Sequence, residues 1–293
     1  NGEIRWRPVI YFPLYGEGDF ELFPFCASGP QDWNWTNGYQ MDADGNLFDY
    51  SDSGNNPDVY IRQSTEHVQH GKYSAEFHLG TGTEPTHGGN TKHCKLYEAD
   101  QREYPDSYLH PADGQPQAYY SAWFWFPSNF EDTLGNWRLI MQWADKYGGR
   151  HFWTDEDGDN HSCFPTISLT FRGLNGALQL SNNNFYRYDN PEEQESKYTA
   201  WNTGYTASSI PKDQWVHIVV FVKMSSGSRV LDGQVVVWIN GEEVLSITDI
   251  GLWNYWTEPK DVGLCWGIGN YGDKLNTGSI WIDNVQVTDK YVS

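Results

Sequence analysis

Two strand-like stretches in the middle of the sequence, YYSAWFWFP and NWRLIMQWAD, carry side chains suited to chemistry on a sugar. Successive side chains of a strand lie on opposite faces of a sheet. Alternation therefore places Trp123 and Trp125 together in the first stretch. It also places Arg138 and Gln142 together in the second. Indole rings stack on pyranose faces, while guanidinium and amide groups bind hydroxyls and carboxylates. The stretches predict one carbohydrate-binding face, against the simpler interpretation of a half-buried sheet with some exposed aromatic residues.

Other strand-like stretches place polar or aromatic residues outward by the same alternation. The residues concerned are Glu76 and His78, then His93, Lys95 and Tyr97, and finally Tyr271 and Lys274 at or just beyond the end of LCWGIGNYG. Two glycines of that last stretch, Gly267 and Gly269, share a face with Tyr271 and would let a ligand approach the backbone closely. We expect these residues to extend the carbohydrate-binding face. His217 lies in a stretch that is apolar on both faces and is interpreted as a core histidine.

Acidic residues in two places predict cation binding. The run TDEDGDN contains Asp155, Asp157 and Asp159, which have the alternating spacing of a calcium loop but no distant Glu as in an EF-hand. A solvated acidic turn is the alternative for this run. Asp283 shares a face with apolar residues of its own stretch, so its inward carboxylate needs a partner. A hard cation would provide that partner.

The composition excludes several classes of ligand. The 293-residue chain has a formal net charge of −20, which argues against binding to nucleic acids and to anionic membranes. No apolar stretch is long enough to span a membrane. The chain begins with Asn, so we interpret it as a processed form or a trimmed chain, and we expect a secreted protein. The cysteines lack a CxxC pair and argue against zinc, leaving disulfides or buried thiols as alternatives. They are Cys26, Cys94, Cys163 and Cys265.

The pattern of short strands predicts an all-β fold. PKDQWVHIVVFVKM is apolar on both faces, as expected inside a sandwich, and GQVVVWINGEEVLSI indicates a hairpin that turns at Asn240-Gly241. Residues 28–58 and 183–209 are polar and are predicted to be long loops. No linker divides the chain. We expect a single domain over residues 1–293, made of two packed antiparallel sheets with few short helices, and a monomer.

The segments DQWVHIVVFVKM, GQVVVWINGEEV, LCWGIGNYG and SIWIDNVQV resemble the concanavalin A-like jelly roll. Within that group they look most like the polysaccharide lyases of the heparin-lyase and glucuronan-lyase type, and they are also similar to alginate lyases. Upstream, GEGDFELF and GKYSAEFHL look like the first strands of these enzymes, and YYSAWFWFPSNF with WRLIMQW looks like their central pair. The resemblance implies a β-jelly-roll sandwich and a secreted enzyme that cleaves a uronate-containing polysaccharide by β-elimination.

The resemblance also implies roles for individual residues. In such lyases an Arg, Gln or Asn neutralises the uronate carboxylate, and His or Tyr supplies the base and the acid. By this analogy Gln142 binds the carboxylate together with Lys95 or Arg138. His93 is the expected base and Tyr271 the expected acid. The remaining outward residues would bind the polysaccharide; they are Glu76, His78, Tyr97, Trp123, Trp125 and Lys274.

Jelly rolls of this type often bind a structural calcium ion that joins the first strand to the last. The residues that match these positions are Glu17, Asp19 and Asp283. The resemblance therefore implies calcium as a structural cofactor, in addition to the calcium-like run at Asp155, Asp157 and Asp159.

The sequence departs from the lyase pattern at one position and keeps two alternative functions open. Such lyases often carry a histidine just after the Gln-Trp step, whereas Gln142 and Trp143 are followed by Ala144. This departure and the acidic net charge favour a carbohydrate-binding, lectin-like protein without catalysis. The long polar region 183–209 argues against that alternative, because binding modules of this fold are usually shorter. A glycoside hydrolase, the third possibility, needs two closely spaced carboxylates on one strand, and no Glu-x-Asp-x-x-Glu strand occurs.

Overall fold

A computed structural model describes residues 39–41, 47–51, 54–82, 91–97, 117–145, 152–154, 160–162, 166–185, 196–227, 230–252 and 264–292. These residues form seventeen strands and one short 3-10 helix, Glu131–Thr133. All the pairings among these strands are antiparallel. Within the same residues, no helix has the length and apolar character needed to cross a membrane.

The strands, numbered in chain order, form two large sheets and a small hairpin. The nine-stranded sheet contains, in spatial order, β1 (Tyr39–Met41), β2 (Leu47–Ser51), β3 (Gly54–Ser64), β4 (Ser74–Leu79), β17 (Gly278–Thr288), β6 (Gln117–Trp125), β13 (Trp215–Lys223), β14 (Gly233–Ile239) and β15 (Glu242–Ile250). The six-stranded sheet contains β12 (Ser196–Thr206), β11 (Ala177–Phe185), β10 (Thr166–Arg172), β7 (Trp137–Asp145), β16 (Leu264–Asp273) and β5 (Thr91–Tyr97). The hairpin pairs β8 (Phe152–Thr154) with β9 (Asn160–Ser162).

The hydrophobic core lies between the two large sheets. The ring centroid of Tyr120, on β6, is 5.3 Å from that of Trp143, on β7, and 5.0 Å from that of Trp266, on β16. Phe126, just after β6, approaches Phe171 of β10 edge-on at 5.7 Å. These rings bridge the sheets and are themselves buried, which makes them the central contacts of the sandwich. The predicted all-β sandwich of two antiparallel sheets is confirmed.

The C-terminal half follows its sequence pattern closely. Seven of the nine residues of β13 are buried, as expected for a strand that is apolar on both faces. β14 and β15 form the predicted hairpin, with positive φ angles of 51° at Asn240 and 82° at Gly241. A type I′ turn needs positive φ at both central residues, and Asn-Gly is the pair that adopts it most readily.

The two central stretches do not lie in one sheet as the sequence analysis assumed. β6 lies between β17 and β13 in the nine-stranded sheet, whereas β7 lies between β10 and β16 in the six-stranded sheet. The connection between them contains the short helix Glu131–Thr133 and crosses from one sheet to the other. Trp123 and Trp125 therefore lie on a different sheet from Gln142. The prediction of one face that carries both sets of residues is wrong.

Parts of both predicted loops are strands. Within 28–58, β1, β2 and the first part of β3 extend the nine-stranded sheet to its edge. Within 183–209, β12 pairs with β11 along most of its length and forms an edge of the six-stranded sheet. β1 and β12 are edge strands of the described sheets, and β2 and β3 lie close to an edge, where strands do not need the strong apolar alternation of a central strand. Polar composition therefore concealed these strands.

Cys94 is a buried cysteine on β5 with a reduced thiol. Its Sγ donates a hydrogen bond to the carbonyl oxygen of Tyr60, on β3, at 3.1 Å. The interpretation of this cysteine as a buried thiol is confirmed. Cys26, Cys163 and the side chain of Cys265 lie outside the described residues, so their pairing stays a prediction.

Candidate functional site

The face of the six-stranded sheet that is turned away from the core is called its outer face here, and strand register aligns predicted site residues along it. Gln142 of β7 lies opposite Ser168 of β10 on one side and opposite Gly267 of β16 on the other. Gly267 in turn lies opposite Tyr97 of β5. Residues that are directly opposite in a ladder share a face. These four positions therefore form one row across four strands.

A second row runs beside the first. Tyr271 of β16 lies opposite His93 of β5, and Gly269 lies opposite Lys95. His93, Lys95 and Tyr97 thus occupy alternate positions of β5 on the outer face, although their side chains lie outside the described residues. The register brings together the positions proposed for the base, the acid and the carboxylate-binding groups.

The phenol of Tyr271 lies in a partly enclosed corner of the outer face. The side chain is half-buried, and its ring meets the ring of Trp137 edge-on, with centroids 5.0 Å apart. Burial raises the pKa of Tyr271 above its ordinary value of 10.0, and a hydrogen bond with the side chain of Thr91 opposes the shift. The phenol is therefore protonated at neutral pH and can donate a proton.

Hydroxyl groups surround the position of Gln142 on the β10 side. The Oγ atoms of Ser168 and Ser181 are 2.7 Å apart, and Thr170 Oγ1 donates to Ser168 Oγ at 3.3 Å. Gln142 is half-buried and lies opposite Ser168 of this cluster in the β7–β10 ladder. Amide and hydroxyl groups at this spacing can bind sugar hydroxyls and a carboxylate.

A β-bulge interrupts β7 between the two rows. Met141 lies opposite Leu169, but Leu139 lies opposite the next residue, Thr170, so Ile140 is an extra residue. Strand side chains alternate with a period of two, so one extra residue reverses the face of every position beyond it. Strict alternation from Gln142 therefore predicts the wrong face for the first residues of β7.

Arg138 is the predicted site residue that the bulge displaces. It lies opposite the core residue Phe171 and is fully buried. Its Nη2 donates to the carbonyl oxygens of Thr133 at 2.8 Å and Thr277 at 2.5 Å. Burial lowers the pKa of the guanidinium to about 9, and the nearby carboxylate of Asp273 opposes the shift. The predicted outward position of Arg138 is wrong. Its hydrogen bonds link the short helix at Thr133 to the turn at Thr277, on the core side of the sheet.

Other buried polar groups support the strand end that carries Tyr271. Asn276 Nδ2 donates to the carbonyl oxygen of Trp137 at 2.7 Å, and Lys92 Nζ donates to the carbonyl oxygen of Asn276 at the same distance. Gly272 packs so closely here that a Cβ atom would lie 2.0 Å from Asn276 Nδ2. This packing and these bonds fix β16 directly after Tyr271.

Glu76 and His78 lie on β4 of the nine-stranded sheet, whereas Gln142 and Tyr271 lie on the six-stranded sheet. The buried carboxylate of Glu76 pairs with Arg62 Nε at 2.5 Å and accepts a hydrogen bond from Ser279 Oγ at 2.6 Å. His78 Nδ1 is 2.8 Å from the same Ser279 oxygen, and its ring stacks on Tyr60. These contacts are internal to the nine-stranded sheet.

Trp123 and Trp125 lie on the face of the nine-stranded sheet that is turned away from the core, which is called its outer face. Trp123 stacks on His217, with ring centroids 4.5 Å apart, and Trp125 stacks on His67 at 4.2 Å. Each indole thus has one of its faces covered by an imidazole of the chain. His217 is buried, and burial lowers its pKa below the ordinary value of 6.5. It packs against Trp123 on the side of the sheet away from the sandwich core, so its interpretation as a core histidine is wrong, although the residue is buried.

Lys274 lies in the turn between β16 and β17 and is half-buried. It follows Tyr271 by three residues but belongs to no strand, so strand register does not assign it to the outer face. It stays a candidate for binding a substrate near that end of the sheet.

Asp283 has partners other than a cation. Its Oδ2 accepts hydrogen bonds from the backbone N–H groups of Gln69 at 2.8 Å and His70 at 3.1 Å, and its Oδ1 accepts one from Asn284 N–H at 2.7 Å. Asp283 lies opposite Trp123 in the β17–β6 ladder, so its carboxylate is on the side of the sheet away from the core, and the predicted inward orientation is wrong. The backbone donors satisfy this carboxylate, which is buried.

The other predicted metal ligands lie outside the described residues; they are Glu17, Asp19, Asp155, Asp157 and Asp159. In the part of the chain that the structure describes, no group of three or more His, Cys, Asp or Glu residues could hold a metal ion. The described residues therefore do not complete a calcium site, and the calcium prediction stays a prediction.

Trp137 and Arg172 are two residues of the outer face to which sequence reasoning gave no role. They lie opposite each other in the β7–β10 ladder. A signal for Arg172 was present, because FPTISLTFRG alternates cleanly and places the arginine with Ser168 and Thr170. Strict alternation from Gln142 would place Trp137 on the core side, because the bulge at Ile140 leaves no recognisable mark in the sequence.

Comparison with known proteins agrees with this architecture. The family profile described as polysaccharide lyase matches residues 31–286. The crystal structure of an endo-β-1,4-glucuronan lyase from the fungus Trichoderma reesei superposes with a TM-score of 0.58 at 14% identity, covering 88% of this chain and 91% of that one. It shows a shared fold. No curated protein matches the sequence.

Two further solved structures are similar over most of their length. Alginate lyase vAL-1 from Chlorella virus has a TM-score of 0.48 at 11% identity, covering 79% of this chain and 90% of that one. The marine PL-14 alginate lyase from Aplysia kurodai has a TM-score of 0.47 at 12% identity, covering 78% and 86%. The decisive observation is the family profile, which spans most of the chain, including both sheets and the connection between them. The chain belongs to the polysaccharide lyase family.

Proposed function

We propose that this polysaccharide lyase cleaves a uronate-containing polysaccharide by β-elimination on the outer face of the six-stranded sheet. One observation carries the proposal: the register of β5, β16 and β7 aligns the positions of His93, Lys95, Tyr271 and Gln142 on one face. Their residue types match the needs of the reaction. Gly267 and Gly269 between them leave room for a sugar to approach the backbone.

The reaction makes three demands on the site. The uronate carboxylate must be neutralised, because the proton on C5 becomes acidic only when the developing negative charge is stabilised. A base then removes that proton, and the electron pair forms a double bond between C4 and C5. The bond from C4 to the glycosidic oxygen breaks, and an acid protonates the departing oxygen.

We assign the carboxylate to Gln142 and Lys95, the base to His93 and the acid to Tyr271. His93 and Tyr271 are ladder partners on adjacent strands, so a base and an acid at these positions can act on one sugar. The raised pKa of Tyr271 keeps its proton available at neutral pH. His93 would then act as the base. Such lyases often carry a histidine just after the Gln-Trp step, and this chain has none there.

Product formation is the direct test. The protein is incubated with alginate, glucuronan, ulvan and glycosaminoglycans, and the ultraviolet absorbance of the unsaturated product is followed. We expect new absorbance with at least one uronate polymer and none with a neutral glucan. Absence of new absorbance across the whole panel would contradict the proposal.

Carbohydrate binding without cleavage is the second candidate. The observation that favours it is Ala144 at the position after Gln142-Trp143, where such lyases often carry a histidine. Affinity electrophoresis on acidic and neutral glycans separates the two functions. Retention by a glycan without any unsaturated product would select binding.

We also propose that the protein is secreted and holds structural calcium. The acidic composition and the carboxylates at 17, 19, 155, 157 and 159 support a calcium-binding extracellular protein, since calcium prefers clusters of oxygen ligands. Elemental analysis of the purified protein tests the metal, and the location of the protein in fractionated cultures of a producing cell tests secretion.

A further inference from the structure

Arg172 and Trp137 form a pair at one end of the outer face of the six-stranded sheet. Arg172 is the last residue of β10, and its ladder partner is Trp137, the first residue of β7. Arg172 is exposed and Trp137 is half-buried. The Trp137 ring in turn meets the Tyr271 ring edge-on, at 5.0 Å and 81°. Tyr271, Trp137 and Arg172 therefore make a line that crosses three adjacent strands.

The described outer-face positions of β7, β10 and β11 carry no negative charge. The described outer-face positions of β7, β10 and β11 are Trp137, Leu139, Gln142, Ser168, Thr170, Arg172, Ala177, Gln179 and Ser181. None of them is Asp or Glu, although the whole chain has a net charge of −20. The one charged residue among them is Arg172. On the adjacent strand β16, Asp273 follows Tyr271 by two residues, and its buried carboxylate accepts hydrogen bonds from the N–H groups of Asn136 and Leu275. The positions on β7, β10 and β11 themselves offer a polyanion no like charge and one attractive group.

The spacing suits a polymer that runs across the strands. Neighbouring strands are about 4.8 Å apart, so the positions of Arg172 and Tyr271 are separated by roughly 10–12 Å. A polysaccharide whose reacting bond lies at Tyr271 can therefore place a neighbouring sugar over Trp137 and Arg172.

We propose that Trp137 and Arg172 form a binding subsite for the uronate adjacent to the one that is cleaved. Trp137 stacks on the sugar ring, and the guanidinium of Arg172 binds its carboxylate, for which the planar fork of arginine is well suited. The proposal rests on the proposed function, and it adds a requirement for a second carboxylate in the substrate and a direction for the polymer across β16, β7 and β10.

The test compares Arg172→Gln and Arg172→Lys with Lys290→Gln. Lys290 is exposed in the turn after β17, so its variant makes the same change in net charge away from the outer face. Initial rates are measured on the uronate polymer that the wild type cleaves fastest. Retention is measured in gels that contain this polymer or its methyl-esterified form. Melting curves check that each variant is folded.

We expect Arg172→Gln to raise KM roughly tenfold while kcat changes little, because a ground-state contact to a charged group is lost. Retention should fall on the acidic polymer but not on the esterified one, and Arg172→Lys should restore part of it. Lys290→Gln should behave like the wild type. Trp137→Ala should weaken retention on both polymers, because stacking does not depend on charge.

Two outcomes separate this inference from the proposed function. If the wild type forms unsaturated product and Arg172→Gln has the KM and retention of Lys290→Gln, the subsite is overturned and the lyase function stands. If the wild type forms no product with any polymer, the lyase function fails. The subsite is then judged by retention alone: a charge-dependent loss in Arg172→Gln supports it, and unchanged retention or no retention overturns it.

Discussion

At the scale of single residues, the chemistry depends on side chains with contrasting surroundings. Gln142 is half-buried on the outer face, opposite Ser168, so a substrate can reach it without disturbing the core. Tyr271 is held beside Trp137, and burial favours its neutral form. A neutral hydrogen-bond donor for the carboxylate and a protonated acid for the leaving oxygen are what β-elimination needs.

Gln142→Ala is expected to abolish most turnover without affecting folding. Loss of a donor that stabilises developing negative charge typically lowers kcat by about 10²–10³. The free energy of unfolding should change by less than about 0.5 kcal/mol, because a partly exposed polar side chain contributes little to packing. Initial rates and melting curves measure the two effects. Gln179→Ala, on the same face but bonded to Asn202, is the control and should keep its activity. Full activity in Gln142→Ala would place the site elsewhere.

Tyr271 is expected to set the alkaline limit of the reaction. The folded protein raises the pKa of this phenol above 10.0, so the proton is fully present below that pH and is lost as pH rises through the raised value. If Tyr271 is the acid, kcat should hold through pH 9 and fall only above pH 10, the ordinary pKa of a phenol. Tyr271→Phe should lower kcat by roughly 10²–10⁴.

The pH dependence of kcat for wild type and Tyr271→Phe measures this effect. Tyr291→Phe, on an exposed tyrosine after β17, is the control. An alkaline limb that starts near neutral pH, or unchanged kcat in Tyr271→Phe, would exclude the phenol as the acid.

At the scale of elements, β7 explains which parts of the site could be predicted. Alternation correctly placed Gln142, Tyr271 and the positions 93, 95 and 97 on the outward faces of their strands, and the register of β5, β16 and β7 brings these faces together on one sheet. The position of Arg138 was not predictable. A bulge at Ile140 is a property of the pairing between strands, and a single sequence carries no periodic signal for one inserted residue.

The assignment of strands to sheets was beyond the sequence for a similar reason. Alternation identifies the two faces of β6 and of β7, but it does not say which strands are neighbours. The order of strands in each sheet depends on contacts between distant parts of the chain, such as β6 with β13 and β17. Trp123 and Gln142 therefore looked like members of one surface and lie on different sheets.

Asn276→Ala is expected to destabilise the end of β16 and slow the reaction. Asn276 is fully buried, donates to the carbonyl oxygen of Trp137 and accepts from Gly135 N–H at 2.8 Å. Leaving these buried groups unpaired should cost about 2–4 kcal/mol in the free energy of unfolding. Because this turn fixes β16 after Tyr271, kcat should fall more than KM rises. Denaturant unfolding and steady-state kinetics measure both, with the exposed Asn129→Ala as control. A loss of stability with unchanged kcat would mean that the turn does not position Tyr271.

At the scale of the whole molecule, the outer faces of the two sheets have different roles. The outer face of the six-stranded sheet carries the proposed site, whereas that of the nine-stranded sheet carries internal ion pairs and stacked rings, such as Glu76 with Arg62. Residues of both sheets, including Glu76 and Trp123 of the nine-stranded sheet, were predicted from the sequence to bind the substrate. Variants on opposite sheets should therefore separate stability from catalysis.

Trp123→Ala and Trp137→Ala are the matched pair for this separation. Trp123→Ala removes the stack on His217 and should lower the free energy of unfolding by about 2–3 kcal/mol. Its kcat/KM should stay close to that of the wild type. Trp137→Ala should show the opposite pattern, with a larger loss of kcat/KM than of stability. Melting curves and initial rates on one uronate polymer measure both variants. A large loss of kcat/KM in a folded Trp123→Ala protein would indicate that the substrate binds to the nine-stranded sheet.

Calcium is expected to stabilise the whole molecule if the acidic residues at 17, 19 and 283, or at 155, 157 and 159, bind it. An ion that binds only the folded state stabilises by mass action, by about 2.7 kcal/mol at a hundred times its Kd. Chelation should lower Tm, and added calcium, but not sodium chloride of equal ionic strength, should restore it. Asp283 variants alone are not diagnostic, because the carboxylate also accepts backbone hydrogen bonds from Gln69, His70 and Asn284. The informative quantity is the calcium-dependent part of Tm, which Asp19→Asn or Asp157→Asn should remove. Identical melting curves with and without chelator, together with no metal by elemental analysis, would end the case for calcium.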